Sequence, residues 1–277
     1  MKVLIFSGNH PRHLFIHSAL LRSFDVCGVV CMRREEILPS PPAGIRAHDA
    51  ENFKRHFADR LAAEQKYFTT AEAEQVYAHT PTHYCTFDTF NTAETAAFVQ
   101  KCAPDIVVVF GVGLIKEPVL SVLPNDRINL HLGLSPWYRG AATLFWPFYN
   151  MQPHWAGSTI HQIVPKADAG AIIHQSLPEL TKGDGIHDVS CKVVLRSSED
   201  MITLFQEREK RGYFTQEEQR SSGRLYMGKD FKPEHLRVIY DLFNNKMVDA
   251  YLNGELDREK PPVISGISKI PLSEKAR

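Results

Sequence analysis

The apolar positions of this chain fall into short runs and helical stripes that alternate over its first two hundred residues. Lys2-Val-Leu-Ile-Phe6 is a brief apolar run closed by Ser7-Gly-Asn-His-Pro11, as a buried strand ending in a loop would be. Leu14, Phe15, Ile16, Ala19, Leu20 and Leu21 follow at helical spacing, and Phe24 to Cys31 is β-rich and punctuated by glycine. Strand, helix and strand in that order predict a first βαβ unit of an open parallel sheet. Residues 33–45, with Arg33-Arg-Glu-Glu36 and three prolines, predict an irregular exposed loop. Phe53, Phe57, Leu61 and Tyr67, with mixed charges between them, predict an amphipathic helix over 49–68, and 89–102 predicts another. Pro104-Asp-Ile-Val-Val-Val-Phe-Gly-Val-Gly-Leu-Ile115 has no polar face before its two glycines, the pattern of a central parallel strand. A short helix over 118–123, a strand carrying Asn129, strands over 158–164 and 172–177, and a helix over 186–208 capped near Asp184 follow. The fold class is α/β: an open, mostly parallel twisted sheet with helices on both faces.

From 211 the composition turns polar until Pro233. Leu236, Ile239, Tyr240, Phe243, Met247 and Tyr251 then recur at intervals of one, three and four, which predicts a helix near 233–252 opening on Pro233. Such a stripe is too large to leave in water, so it is expected to dock on the rest of the chain or on a second subunit, as a homodimer would allow. The polar 214–223 stretch would be the connector that lets it swing there. The chain is accordingly divided into a principal domain over 1–208 and a C-terminal extension over 209–277.

Composition narrows the function classes. Lys plus Arg equals Asp plus Glu at 32 each, so no global field draws the protein to nucleic acid or an anionic membrane. No apolar run approaches the roughly 20 residues that span a bilayer. Five thinly spread cysteines (27, 31, 85, 102 and 191), and a start without a long apolar region, make a reduced, cytoplasmic location the expectation. The loop after the first strand lacks Gly-x-Gly-x-x-Gly, which argues against a dinucleotide site. His10, His13 and His17 could share a helical face, but no neighbouring carboxylate or cysteine completes a metal site, and Cys27 and Cys31 lack a second pair. No metal is expected. The three histidines fit a solvated junction or a substrate-facing loop, and Arg33-Arg34 fits a solvated pair or a diphosphate contact.

The stretch richest in chemistry runs from Ile128 to Ile173. Asn129 and His131 sit two apart in an apolar run, so on a strand their side chains leave the same face and can aim at one atom. Gly133, Pro136 and Gly140 break the strand into a loop able to approach a flat ligand, and Asp168 follows in another glycine-bearing loop. His161, on the strand before Asp168, fits either support of such a site or plain structure. Phe145, Trp146 and Phe148 read as core rather than as a stacking platform.

Asn129-x-His131, the loop Pro136-x-Tyr138-Arg139-Gly140 and the later Asp168-x-Gly170 together resemble the folate-dependent formyltransferase family, over roughly residues 1–205. The family's Ser-Leu-Leu-Pro is here Gly133-Leu-Ser-Pro136. The resemblance implies a Rossmann-like catalytic domain over 1–208, a helix over 141–149 despite Pro147, and 10-formyltetrahydrofolate as donor. It implies Asn129, His131 and Asp168 as the catalytic residues. The folate slot is expected at the carboxyl end of the central strand, from Phe110, Gly111, Val112, Gly113, Leu114 and Ile115, with Ser135, Arg139 and Gly140 beside it. The acceptor it implies is the amine of a nucleotide-linked amino sugar, as in cell-surface polysaccharide biosynthesis. Methionyl-tRNA is the less favoured partner because the chain is neutral and its tail lacks the length of that relative's β-barrel. Glycinamide ribonucleotide is a further acceptor, and transfer to water, by a formyltetrahydrofolate hydrolase, is the alternative of another class.

Overall fold

The computed structural model describes residues 1–33, 38–68, 73–220 and 223–267. Its strands are β1 (Lys2–Ser7), β2 (Asp25–Met32), β3 (Thr82–Cys85), β4 (Ile106–Phe110), β5 (Asp126–His131), β6 (Tyr138–Gly140), β7 (Ser158–Gln162), β8 (Ile172–Ser176) and β9 (Arg224–Tyr226). Its helices are α1 (Pro11–Ser23), α2 (Ala47–Tyr67), α3 (Ala73–Val76), α4 (Ala93–Cys102), α5 (Phe145–Tyr149), α6 (Ile186–Arg211) and α7 (Met247–Asn253). Seven strands form one sheet in the order β3-β2-β1-β4-β5-β7-β8. The first five are parallel, and β7 and β8 extend the sheet antiparallel.

Strand alternation divides the core in two. Val3 and Ile5, Val29 and Cys31, Ile106 and Val108, and Ile128 and Leu130 face α1 and α6. Leu4 and Phe6, Val30 and Met32, and Val107 and Val109 pack with Ala96 and Val99 of α4 on the other face. A strand buried on both faces has no room for polar positions, which is why β1 and β4 read as unbroken apolar runs. Strand order reverses between β1 and β4, and a crevice opens there beyond the carboxyl ends of the strands.

Several elements differ from the sequence expectation. Over 141–149 only Phe145–Tyr149 is helical, because Ala142 takes a left-handed φ of 55°; Pro147 falls in the first turn, where its missing N–H costs little. The helix expected over 118–123 is a 3-10 turn at Leu120–Val122, and the one over 89–102 begins at Ala93. Asp184 does not cap α6. It accepts hydrogen bonds from the Thr181 N–H and from Lys192, while Gly185 occupies the N-cap and Asp188 accepts its N–H at 3.1 Å. Near 233–252 the chain is helical in pieces, with left-handed Asn244 and Asn245 breaking it before α7.

Leu236, Ile239, Tyr240 and Met247 are nonetheless buried, against Phe53, Phe145 and Ile186 of the same chain. Arg237 clamps Asp49 of α2 with two bonds of 2.7 and 2.8 Å, and Asp241 accepts from Asn52. These four stripe residues are covered within one chain, while Phe243 and Tyr251 are half-buried. The described part of the 214–223 connector, up to residue 220, is anchored rather than a free swing arm: Ile172 on edge strand β8 and Glu217 exchange backbone hydrogen bonds of 2.7 and 2.8 Å. Among the described residues no helix is long and apolar enough to cross a membrane, and all five cysteines are free.

Candidate active site

Asn129 and His131 leave β5 on the face opposite Ile128 and Leu130, at the end where the sheet opens. Antiparallel β7 sets His161 directly across from Asn129. The turn between β7 and β8 brings in Asp168 with a left-handed φ of 47°. The four side chains converge. Asp168 Oδ2 lies 3.6 Å from His131 Nδ1, and Oδ1 lies 3.4 Å from both His161 Nε2 and Asn129 Nδ2. The Gly140 N–H donates to Asp168 Oδ2 at 2.9 Å.

Hydrogen bonding assigns the protons. His131 Nε2 is 2.8 Å from the Tyr138 carbonyl, which can only accept, so Nε2 carries the hydrogen and the neutral ring turns its Nδ1 lone pair towards Asp168. His161 Nδ1 donates to the Gln162 carbonyl at 2.9 Å, leaving Nε2 to accept from Asn129 Nδ2 at 3.1 Å. One amide hydrogen of Asn129 is thereby fixed. The other has only the long contact to Asp168 and is readily exchanged for an oxygen of a ligand.

Burial pulls the His131 pKa below its ordinary value, against the opposing pull of Asp168. Burial works the other way on Asp168, but the positive charge that His131 takes on when protonated and the Gly140 N–H hold its carboxyl well below the usual carboxylate range. A fixed anion beside a neutral, buried imidazole is suited to accepting a proton: the imidazolium that forms is stabilised in place.

A cleft of about 510 Å³ ends at this cluster. Phe110, Gly111, Val112, Gly113, Leu114 and Ile115 all line it, as do Gly140 and the 166–168 turn. Gly111 has a φ of +76°, and a Cβ there would run into His13, so only glycine lets the backbone pass. Ser135 and Arg139 do not line the cleft. Ser135 is fully buried, its N–H on Thr159 and its carbonyl on Gln175, because the turn around it is folded under the site. Arg139 is 6% exposed on β6, which pairs with the distant β9, Arg139 standing opposite Leu225.

Some lining residues carried no signal strong enough to select them. His13 and Arg12, from the start of α1, line the cleft, and Arg12 also pairs with Glu64. His161, which the sequence leaves open between support of the site and plain structure, is placed in the cluster by its register against Asn129. His17 lies away from the cleft, its Nδ1 2.8 Å from Ser7 Oγ and 2.7 Å from the Tyr77 hydroxyl. Among the described residues no group of three histidine, cysteine or acidic side chains could hold a metal. Arg33 pairs with Glu74 at 2.9 Å; Arg34 lies outside the described residues.

A second cavity, of about 380 Å³, adjoins the cleft and shares Arg12, Leu132, Ala142 and Thr143 with it. Its walls are mainly apolar, with Phe57, Phe145 and Phe231, and two buried histidines, His56 and His187, stand in it with ring centroids 4.4 Å apart.

A family model described as formyl transferase matches residues 54–204. Solved structures of similar fold include a 4-N formyltransferase from Francisella tularensis, 17% identical, covering 83% of this chain and 77% of that one with a TM-score of 0.53. Phosphoribosylglycinamide formyltransferase from Anaplasma phagocytophilum is 14% identical, covering 82% and 97% with a TM-score of 0.53. The N-formyltransferase from Helicobacter canadensis, in complex with folinic acid and dTDP-3-aminofucose, is 13% identical, covering 86% and 80% with a TM-score of 0.55. At these identities the likeness is one of fold. The family match spans more than half of the 277 residues and contains Asn129, His131 and Asp168, and the chain belongs to the formyl transferase family.

Proposed function

We propose that the protein transfers the formyl group of 10-formyltetrahydrofolate to the amine of a nucleotide-linked amino sugar. The observation that carries this reading is the convergence of Asn129, His131, His161 and Asp168 at the end of a cleft that adjoins a second cavity. A two-substrate transfer needs two chambers meeting at the reacting atom. The folate pterin enters the cleft, where the backbone of 110–115 meets its edge, and the 166–168 turn closes the far side. The acceptor occupies the second cavity and presents its amine past Thr143 and Leu132.

The amine nitrogen attacks the formyl carbon, and the carbonyl pair moves onto oxygen. Asn129 donates to that oxyanion the N–H that otherwise makes the long contact to Asp168, a contribution of about 3 kcal/mol by comparison with other oxyanion holes. His131 Nδ1 takes the proton released by the amine and returns it to the departing folate nitrogen, while Asp168 holds the imidazolium between the two steps. His161 keeps the Asn129 amide turned the right way. The same reading keeps 1–208 as the catalytic domain and gives 209–277 the task of closing the acceptor chamber, to which it contributes Phe231.

The Helicobacter canadensis enzyme was solved with the two ligand types this reading expects, folinic acid and a dTDP-linked amino sugar. The neutral charge balance disfavours tRNA as acceptor. A thermal-shift screen with folinic acid and a panel of amino-sugar nucleotides tests the assignment, because a ligand of the native state raises the melting temperature by mass action. Folinic acid together with at least one amino-sugar nucleotide should raise it. A panel in which only glycinamide ribonucleotide or tRNA does so would overturn the acceptor.

A further inference from the structure

We propose that Gln219 is a positioning residue for formyl transfer, fixing the backbone of the Asp168 turn and so the bearing of the Asp168 carboxylate on His131. The proposal rests on Asp168 being the carboxylate that supports His131. Gln219 lies beyond the stretch matched by the family model, in the connector between α6 and β9.

Its Nε2 donates to two main-chain carbonyls at once, Asp168 at 2.9 Å and Gly170 at 2.7 Å. These carbonyls belong to a turn with no strand partner, between the end of β7 at Gln162 and the start of β8 at Ile172. Two carbonyls converging on one point need a group with two N–H donors and enough reach, which a glutamine supplies. The connector arrives in fixed register, since Glu217, two residues earlier, exchanges backbone hydrogen bonds with Ile172. The amide's other end is informative: Gln219 Oε1 is buried and has no hydrogen-bond partner among the described residues. The side chain tolerates an unmet acceptor in order to keep its donors on the turn.

The turn needs such a tie. Asp168 holds a left-handed φ of 47°, a region that aspartate tolerates but does not favour, and a Cβ on Gly170 would run into the Gln162 carbonyl. The carboxylate stands 3.6 Å from His131 Nδ1, a separation at which a small shift of the turn changes how strongly it supports the imidazolium. A displacement of 1 Å in a catalytic arrangement can cost roughly 100-fold in rate.

The test compares Gln219→Met, Gln219→Asn and Gln219→Lys with the parent in the full chain. It reads kcat, the acceptor KM and the His131 titration by NMR, with Asp168→Asn run beside them. Met removes both donors, Asn is too short to reach both carbonyls, and Lys keeps N–H donors at similar reach. Expected are a roughly 10-fold loss of kcat in Met and Asn, an acceptor KM within about twofold of the parent, a His131 titration moved to lower pH, and recovery of most of kcat in Lys. Parental kcat and His131 titration in Met, with only a lower melting temperature, would overturn the proposal. If Met fails to fold, equal kcat in Asn and Lys would overturn it. Full activity in Asp168→Asn would instead remove the catalytic reading on which the proposal stands, whatever the Gln219 variants do.

Discussion

Asp168 carries most of the electrostatics of the site, and replacing it isolates them. Asp168→Asn keeps the size and removes the anion, so kcat is expected to fall roughly 100-fold or more while folinic acid still binds with near-parental affinity. The pH dependence follows from the direction of the His131 shift. Burial places its pKa below the usual histidine value of about 6.5, so the neutral base persists below that pH and activity is lost only as pH falls through the lowered value. Asp168 opposes that lowering, so in Asp168→Asn the acid limb of the kcat/KM profile should move to still lower pH. An acid limb that stays put, or moves up, would separate Asp168 from His131. Three of the four clustered residues were legible in the sequence, because strand alternation puts Asn129 and His131 on one face and the motif supplies Asp168. The sequence leaves His161 open, since its place depends on a strand register that sets it across from Asn129, 32 residues away.

At the scale of elements, the strands were the easiest to read and the pieces held by distant pairing the hardest. β1 and β4 announce themselves as apolar runs because both their faces are buried. β6 and β9 are three residues each and exist only because they pair with one another, so nothing local marks them. The break at Asn244 and Asn245 is similar: asparagine tolerates the left-handed region but does not demand it, and the apolar stripe runs through unbroken. The stripe itself was legible, and its packing can be measured. Ile239 is fully buried against the α5 side of the core, so Ile239→Ala should lower the unfolding free energy by about 2–4 kcal/mol in urea titration. A loss within experimental error of zero would mean that the extension is not seated there. Gly170→Ala should act on the site instead, by displacing the Asp168 turn from the Gln162 carbonyl and lowering kcat more than stability.

The whole molecule carries several histidines in its interior, and they set its response to acid. Burial pushes His17 and His187 down to about 3, and His56 is lowered well below its ordinary value as well. Between about 3 and the unfolded value of about 6.5, the unfolded chain binds protons that the folded chain refuses, so stability is lost as pH falls through that window and is flat above it. Melting temperatures from pH 7 to pH 5 should fall accordingly, and His17→Gln, which can still bond to Ser7 or Tyr77, should flatten the slope. A melting temperature independent of pH over that range would contradict the neutral burial of these rings. The central claim concerns the reaction, and its most direct measurement is tetrahydrofolate release from 10-formyltetrahydrofolate with and without an amino-sugar nucleotide, in the parent and in Asn129→Ala. The account predicts release that depends on the amine, formamide on the sugar in equal amount, and at least a roughly 100-fold loss in Asn129→Ala. Release at the same rate without any amine, or undiminished transfer in Asn129→Ala, would contradict it.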